Sequence, residues 1–148
     1  MRTIFRYWLW VLLALVVLQI AFAGYGAFDV AHNTDGGTVD EKSFEDSFGL
    51  HIGFGYLILL GGLLTVILAL LARAGRPRIM HSLVIFVLLI VQVLLAWFGF
   101  EIPVIGSLHP LNAFLILGAV GALTMREWRG EGMRGTTEPV APPPASTA

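Results

Sequence analysis

The sequence predicts an all-α integral membrane protein whose four transmembrane helices form an up-down bundle. The first observation is that four long stretches contain no Asp, Glu, Lys or Arg, namely residues 7–28, 47–72, 79–100 and 102–124. Each is at least about 20 residues long, which is the length that spans a hydrocarbon core. The second observation is that only 13% of the chain is charged. Such stretches are expected to be helical, because lipid offers no hydrogen-bond partner to an open backbone.

The predicted helices begin and end where the apolar stretches give way to charged residues, glycine or proline. We place the four helices at about residues 4–28, 49–72, 79–100 and 108–126. An acidic outer loop, residues 29–48, joins the first two helices. These elements make up a transmembrane domain over residues 1–129. The tail of residues 130–148 is rich in Pro and Thr and is predicted to be disordered in the cytoplasm.

The positions of the basic residues predict the orientation of the chain. Eight of the nine Lys and Arg residues precede the first helix, lie in the second connection or follow the fourth helix; they are Arg2, Arg6, Arg73, Arg76, Arg78, Arg126, Arg129 and Arg134. Lys42 alone lies in the first connection, which is rich in Asp and Glu. The positive-inside rule therefore predicts a plasma-membrane protein with both termini in the cytoplasm.

A cleaved signal peptide is the alternative interpretation of the first helix. Arg2 and Arg6 precede an apolar run that reaches Ala21-Phe22-Ala23, which has the A-x-A form of a cleavage site. The run continues to Phe28, however, which is longer than the usual apolar region of a signal peptide. An internal repeat also favours a first helix that is retained.

The first two predicted helices resemble the last two, and we interpret the bundle as a duplicated two-helix hairpin. The matched residues are Gln19 with Gln92, Ala23 with Ala96, Gly26 with Gly99, His51 with His109, and Gly55 with Ala113. Within each matched helix the alignment needs no gap. The longer acidic loop accounts for the longer spacing between glutamine and histidine in the first half.

Two histidines at equivalent positions of this repeat predict a haem site. His51 and His109 fall in the first turns of two predicted helices that are diagonal partners in an up-down bundle. Two iron–nitrogen bonds of about 2 Å and two imidazole rings roughly fill that diagonal. Small residues near the histidines leave space for the edges of a flat macrocycle; they are Gly55, Ala113, Gly26 and Gly99. We therefore predict one b-type haem with His51 and His109 as its iron ligands.

This arrangement resembles one four-helix half of the haem A synthase family. His51 and His109 match the histidines that face each other across each half of those proteins, and the resemblance covers about Ile4 to Arg126. It implies a haem-binding membrane bundle. The family is similar to two such modules fused, whereas this chain has one. The family also carries an acidic residue one turn before the first histidine, where this chain has Ser47 or Phe48. The resemblance therefore implies haem binding without implying haem hydroxylation.

Other polar residues have simpler expected roles. Gln19 and Gln92 lie inside the predicted hydrocarbon region, so they are expected to hydrogen-bond within the bundle, with contact to a quinone as the alternative. His81 is expected to be an interfacial residue, and His32 lies in the acidic loop. The absence of cysteine excludes disulfides and thiolate metal sites.

The predicted function is electron transfer or haem handling by a small haem-binding membrane protein. Two other functions fit the same sequence: a scaffold or accessory subunit without a cofactor, and a quinone-binding membrane protein. The sequence does not decide whether the chain is an enzyme. Its expected partners are the lipid bilayer and either a quinone or a redox protein, and it leaves no room for a nucleic-acid-binding domain.

The predicted orientation can be measured with reporter fusions. A reporter fused after Ala148 should behave as cytoplasmic, and one inserted between Thr34 and Lys42 should behave as exported, because the basic residues hold the other ends inside. A mature N-terminus at Gly24 would contradict the four-helix prediction and leave three spans.

Overall fold

The computed structural model describes residues 1–34 and 37–132, and within these residues it contains five α-helices and no strand. The helices are α1 (Arg2–Asn33), α2 (Glu41–Leu71), α3 (Arg76–Glu101), α4 (Pro103–Gly106) and α5 (Leu108–Gly132). Four candidate spans are long and apolar enough to cross a membrane, the last of them running from Pro103 to Arg129. The prediction of an all-helical chain with four such helices is confirmed.

The four long helices pack in a ring. α1 and α3 each pack against both α2 and α5. In the described part of the chain, α1 does not pack against α3, nor α2 against α5, so each of these is a diagonal pair. Side-chain contacts join the start of one helix to the end of its neighbour, as Trp8 with Thr65 and Phe44 with Phe100 show. The histidine-bearing helices α2 and α5 are therefore diagonal, as the sequence predicted.

The predicted acidic loop of residues 29–48 is largely helical. α1 continues to Asn33, and α2 begins at Glu41 instead of Gly49. A capping box starts α2: the Asp40 carboxylate accepts a hydrogen bond from the Ser43 backbone N–H at 2.8 Å, and the Asp40 N–H donates to Ser43 Oγ at 3.1 Å. The hydrogen bonds from Ser43 lower the pKa of the Asp40 carboxyl. The Asp40-x-x-Ser43 spacing was visible in the sequence, but the polar composition of the segment hid it.

The earlier start of α2 changes the position of one histidine. His51 lies about three turns from the start of α2, instead of in its first turn. His109 does lie in the first turn of α5. At the other end of the chain, α5 continues through Gly132, so residues 130–132 of the predicted tail are helical. The remainder of that tail, residues 133–148, lies outside the described residues.

A hydrophobic core fills the half of the bundle nearest the N-terminus. Its buried side chains recur at helical spacing on each long helix, and on α1 they are Phe5, Leu9, Leu12 and Val16. Small residues of α2 let the neighbouring helices approach closely. A Cβ added at Gly61 would lie 3.3 Å from both Leu12 and Trp8, and one at Gly62 would contact Leu89. This half is therefore closely packed.

A buried carboxylate joins three helices at the N-terminal end of the bundle. Glu127 of α5 is 1% exposed, and it forms ion pairs with Arg2 of α1, at 3.7 Å, and with Arg78 of α3. Beside it, the guanidinium carbon of Arg6 lies 4.4 Å from the centre of the Trp128 ring. We call these five residues the arginine end. The sequence analysis used the arginines only for orientation and did not identify Glu127 as their partner.

Loss of the buried carboxylate should destabilise the protein. Glu127→Ala would leave Arg2 and Arg78 without their ion-pair partner, at a cost on the order of 3 kcal/mol in the free energy of unfolding. A lower midpoint of thermal unfolding in detergent would show this cost. Glu101→Ala is the matched control, because Glu101 is exposed and should be replaced with little effect. Equal midpoints for the two variants would contradict the structural role of Glu127.

Candidate functional site

His51 and His109 meet across the centre of the bundle. Their ring centroids are 6.1 Å apart, and the ring planes are inclined by 64°. Both side chains are partly buried, although they come from helices whose backbones do not pack together. The structure therefore brings together the two residues that the sequence predicted as a ligand pair.

Each histidine is held by the backbone carbonyl of a glutamine on the preceding long helix. His51 Nδ1 lies 3.2 Å from the carbonyl oxygen of Gln19, and His109 Nδ1 lies 3.0 Å from that of Gln92. A carbonyl oxygen can only accept, so Nδ1 is the donor in both contacts. In each neutral ring, Nε2 then carries the lone pair. Metal-ligating histidines commonly have this arrangement, with the second nitrogen bonded to a backbone carbonyl.

The separation of the rings matches two imidazoles that bind one metal atom from opposite sides. About 2 Å for each metal–nitrogen bond and roughly 1 Å from each nitrogen to its ring centre give a separation of about 6 Å. The inclination of the ring planes does not affect this match, because each ring can rotate about its bond to the metal. Within residues 1–34 and 37–132, no group of three or more His, Asp or Glu side chains is placed to hold a metal ion. The protein thus offers two ligands, whereas structural zinc sites use four.

A cavity of about 540 Å³ surrounds the two imidazoles. This volume lies within the range of about 300–1,000 Å³ that is typical of ligand and cofactor sites. Its lining is mostly apolar and aromatic, with His51, His109, Gln19 and Gln92 among its few polar residues. The cavity occupies the half of the bundle opposite the arginine end, where the core does not continue.

Three of the four small residues predicted to make space do line the cavity: Gly55, Ala113 and Gly99. A Cβ at Gly55 would lie 3.0 Å from Gln19 Nε2, and one at Gly99 would lie 2.6 Å from the Cα of Gly106 in α4. Gly26 differs from the prediction and lies outside the cavity. A Cβ there would lie 2.9 Å from the Phe48 ring, so Gly26 allows α1 to pack closely against α2.

The side chains of the two glutamines are bonded differently. Gln19 Nε2 donates to the backbone carbonyl of His51 at 2.7 Å, and Gln19 Oε1 is buried without a hydrogen-bond partner among the described residues. Gln92 Oε1 instead accepts a hydrogen bond from Asn112 Nδ2 at 2.7 Å. The equivalent of Asn112 in the first half is Phe54, which cannot donate. Sequence reasoning did not single out Asn112, although a lone asparagine within an apolar run was the available signal.

Three phenylalanines line the cavity on the side away from the arginine end. The rings of Phe44 and Phe48 are stacked at 4.6 Å, and Phe44 meets Phe100 edge to face at 5.4 Å. Phe48 also meets the His51 ring edge to face at 6.2 Å. We call these three residues the aromatic rim. Neither His81 nor His32 lines the cavity.

Comparison with known proteins gives a single match. A model of a family of unknown function (DUF6220) matches residues 19–99, which is more than half of the chain. The match begins at Gln19, includes His51 and Gln92, and ends before His109. No curated protein and no solved structure matches the chain.

The contact between Gln92 and Asn112 should contribute measurable stability. We expect Gln92→Leu and Asn112→Leu to couple by about 0.6 kcal/mol, a typical value for a hydrogen bond between membrane helices, because either change removes the same bond. Thermal unfolding of the two single variants and the double variant in detergent measures this coupling. Gln19→Leu combined with Asn112→Leu is the control pair, whose effects should add. Additive effects in the Gln92–Asn112 pair would contradict the bond.

Proposed function

Since the chain belongs to the DUF6220 family, whose function is unknown, we propose a function from the chemistry of its own site. The protein binds one b-type haem in the cavity, with His51 and His109 as the two axial ligands. The single observation that supports this proposal best is the pair of imidazoles 6.1 Å apart, each anchored through Nδ1.

The haem site is proposed to lie within a membrane. Large hydrophobic side chains on the outward surfaces of the long helices favour a lipid environment; examples are Leu57, Leu60, Leu64, Val87 and Leu115. The arginines at one end of the bundle favour a cytoplasmic location for that end and for both termini, in the plasma membrane. The haem then lies nearer the outer face.

The bundle is also proposed to be a duplicated up-down hairpin. The equivalent hydrogen bonds of His51 to the Gln19 carbonyl and of His109 to the Gln92 carbonyl support this proposal. A similar placement of both ligands is what a repeated hairpin would produce, since one pair of helices supplies each histidine.

A macrocycle suits this pair of ligands better than a bare metal ion. Two imidazoles leave four positions of an octahedral metal unfilled, and the described residues supply no further ligand group. A haem brings four nitrogen ligands of its own and needs only axial ligands from the protein. Its flat, apolar ring also suits a cavity of this volume with an aromatic and aliphatic lining.

A haem in this position would supply a one-electron redox centre near the outer face. One haem cannot carry electrons across a hydrocarbon core of about 30 Å by itself, so the protein would exchange electrons with a quinol or a redox protein, or would sense or deliver haem. The resemblance to half of the haem A synthase family agrees with the second group of roles. The chain's own residues hold the ligand imidazoles in place and exclude water from the metal.

The haem site is tested by the absorbance spectrum of the purified protein. Protein from haem-replete cells should show a low-spin b-type spectrum with about one haem per chain, because two imidazoles give a six-coordinate iron. His51→Ala and His109→Ala should each abolish or convert that spectrum, whereas His81→Ala should leave it intact. A colourless protein, or an unchanged spectrum in both ligand variants, would favour a scaffold without a cofactor.

The space for the macrocycle is tested separately from its ligands. Gly55→Leu should lower the amount of bound haem by filling the cavity, although both histidines remain. Gly53→Leu on the same helix is the matched control, since a Cβ at Gly53 meets nothing within 4 Å. Equal haem content in the two glycine variants would place the ligand elsewhere.

A further inference from the structure

The charges around the cavity bear on the ionisation state of its ligand, and this inference rests on the haem site proposed above. A b-type haem carries two propionic acid groups, which are usually ionised in water. No Lys or Arg is among the residues that line this cavity. An ionised carboxylate inside it would therefore be buried without a cationic partner, which strongly disfavours the charged form.

The end of the bundle beyond the aromatic rim does not supply the missing positive charge. Its carboxylates lie on three helices; they are Asp29, Glu41, Glu45, Asp46 and Glu101. Lys42 is the one Lys or Arg described at this end, and its Nζ is already paired with Asp46 at 2.5 Å. The described arginines all lie toward the opposite end of the helices. An anionic group that left the cavity on this side would meet like charges.

Gln19 offers the polar contact that a neutral acid needs. Its Nε2 donates to the His51 carbonyl, which leaves Oε1 as an acceptor. That oxygen is buried and has no partner among the described residues, and Gln19 is one of the residues that line the cavity. A protonated carboxylic acid can donate a hydrogen bond to this oxygen, whereas a carboxylate cannot.

We propose that the site binds haem with one propionic acid protonated, and that this acid donates a hydrogen bond to Gln19 Oε1. Gln92 does not have this role, because its Oε1 already accepts from Asn112. Gln19 is thus the residue that distinguishes a tetrapyrrole with a free carboxylic acid from one without it.

The proposal is tested by titrating the full chain in detergent with haem b and with its dimethyl ester. Methylation removes the acid O–H but keeps the iron and the macrocycle. The wild-type protein should bind haem b roughly three- to tenfold more tightly than the ester, which is the range expected for one neutral hydrogen bond. Gln19→Leu should remove this preference, because the acceptor is lost.

Gln92→Leu is the matched control, and it should keep the preference even if it weakens the binding of both compounds. Equal affinities of the wild-type protein for the two compounds would overturn this proposal and leave the haem site standing. A preference that survives in Gln19→Leu would also overturn it, since the cause would then be the size of the ester. Failure of both compounds to bind the wild-type protein would overturn the haem site as well.

Discussion

The hydrogen bond from a histidine Nδ1 to a glutamine carbonyl is the interaction on which the rest of the site depends. It occurs twice, between α1 and α2 and between α3 and α5. Each bond fixes the neutral ring with Nε2 unprotonated, and it also ties one turn of one helix to one turn of the next. A slip of either helix by one turn would move its histidine by about 5.4 Å, so the two rings would no longer lie 6.1 Å apart.

The two halves of the bundle divide packing from binding. In the half near the N-terminus, close helix contacts at Gly61 and Gly62 and the buried Glu127 hold the four helices together. The other half leaves a cavity of about 540 Å³, and an empty cavity lowers stability because its lining loses contacts. A closely packed half therefore allows the second half to remain open for a ligand. A ligand that fills the cavity would restore the lost contacts.

The sequence predicted the features that depend on long stretches or repeated spacing. Gaps in the charge pattern located the four apolar helices, and the repeat selected His51 and His109, which the structure brings together. The early start of α2 was missed because a polar helix beyond an apolar span has no hydropathy signal, although the Asp40 cap was present. Glu127 and Asn112 were missed for another reason. Their partners lie on other helices, and no local pattern shows which distant residue a single polar side chain will meet.

The difference between the two repeats has a physical consequence for a flat ligand. If the two halves were identical, a haem held by His51 and His109 could bind in two orientations related by rotation about the axis through its axial ligands, with equal free energy. The described structure is not symmetric in this respect, because Gln92 Oε1 is occupied by Asn112 while Phe54 leaves Gln19 Oε1 without a partner. A single unoccupied acceptor favours the orientation that places a donor beside it. The residues shared by the repeats would thus hold the metal, and the residues that differ between them would orient the macrocycle.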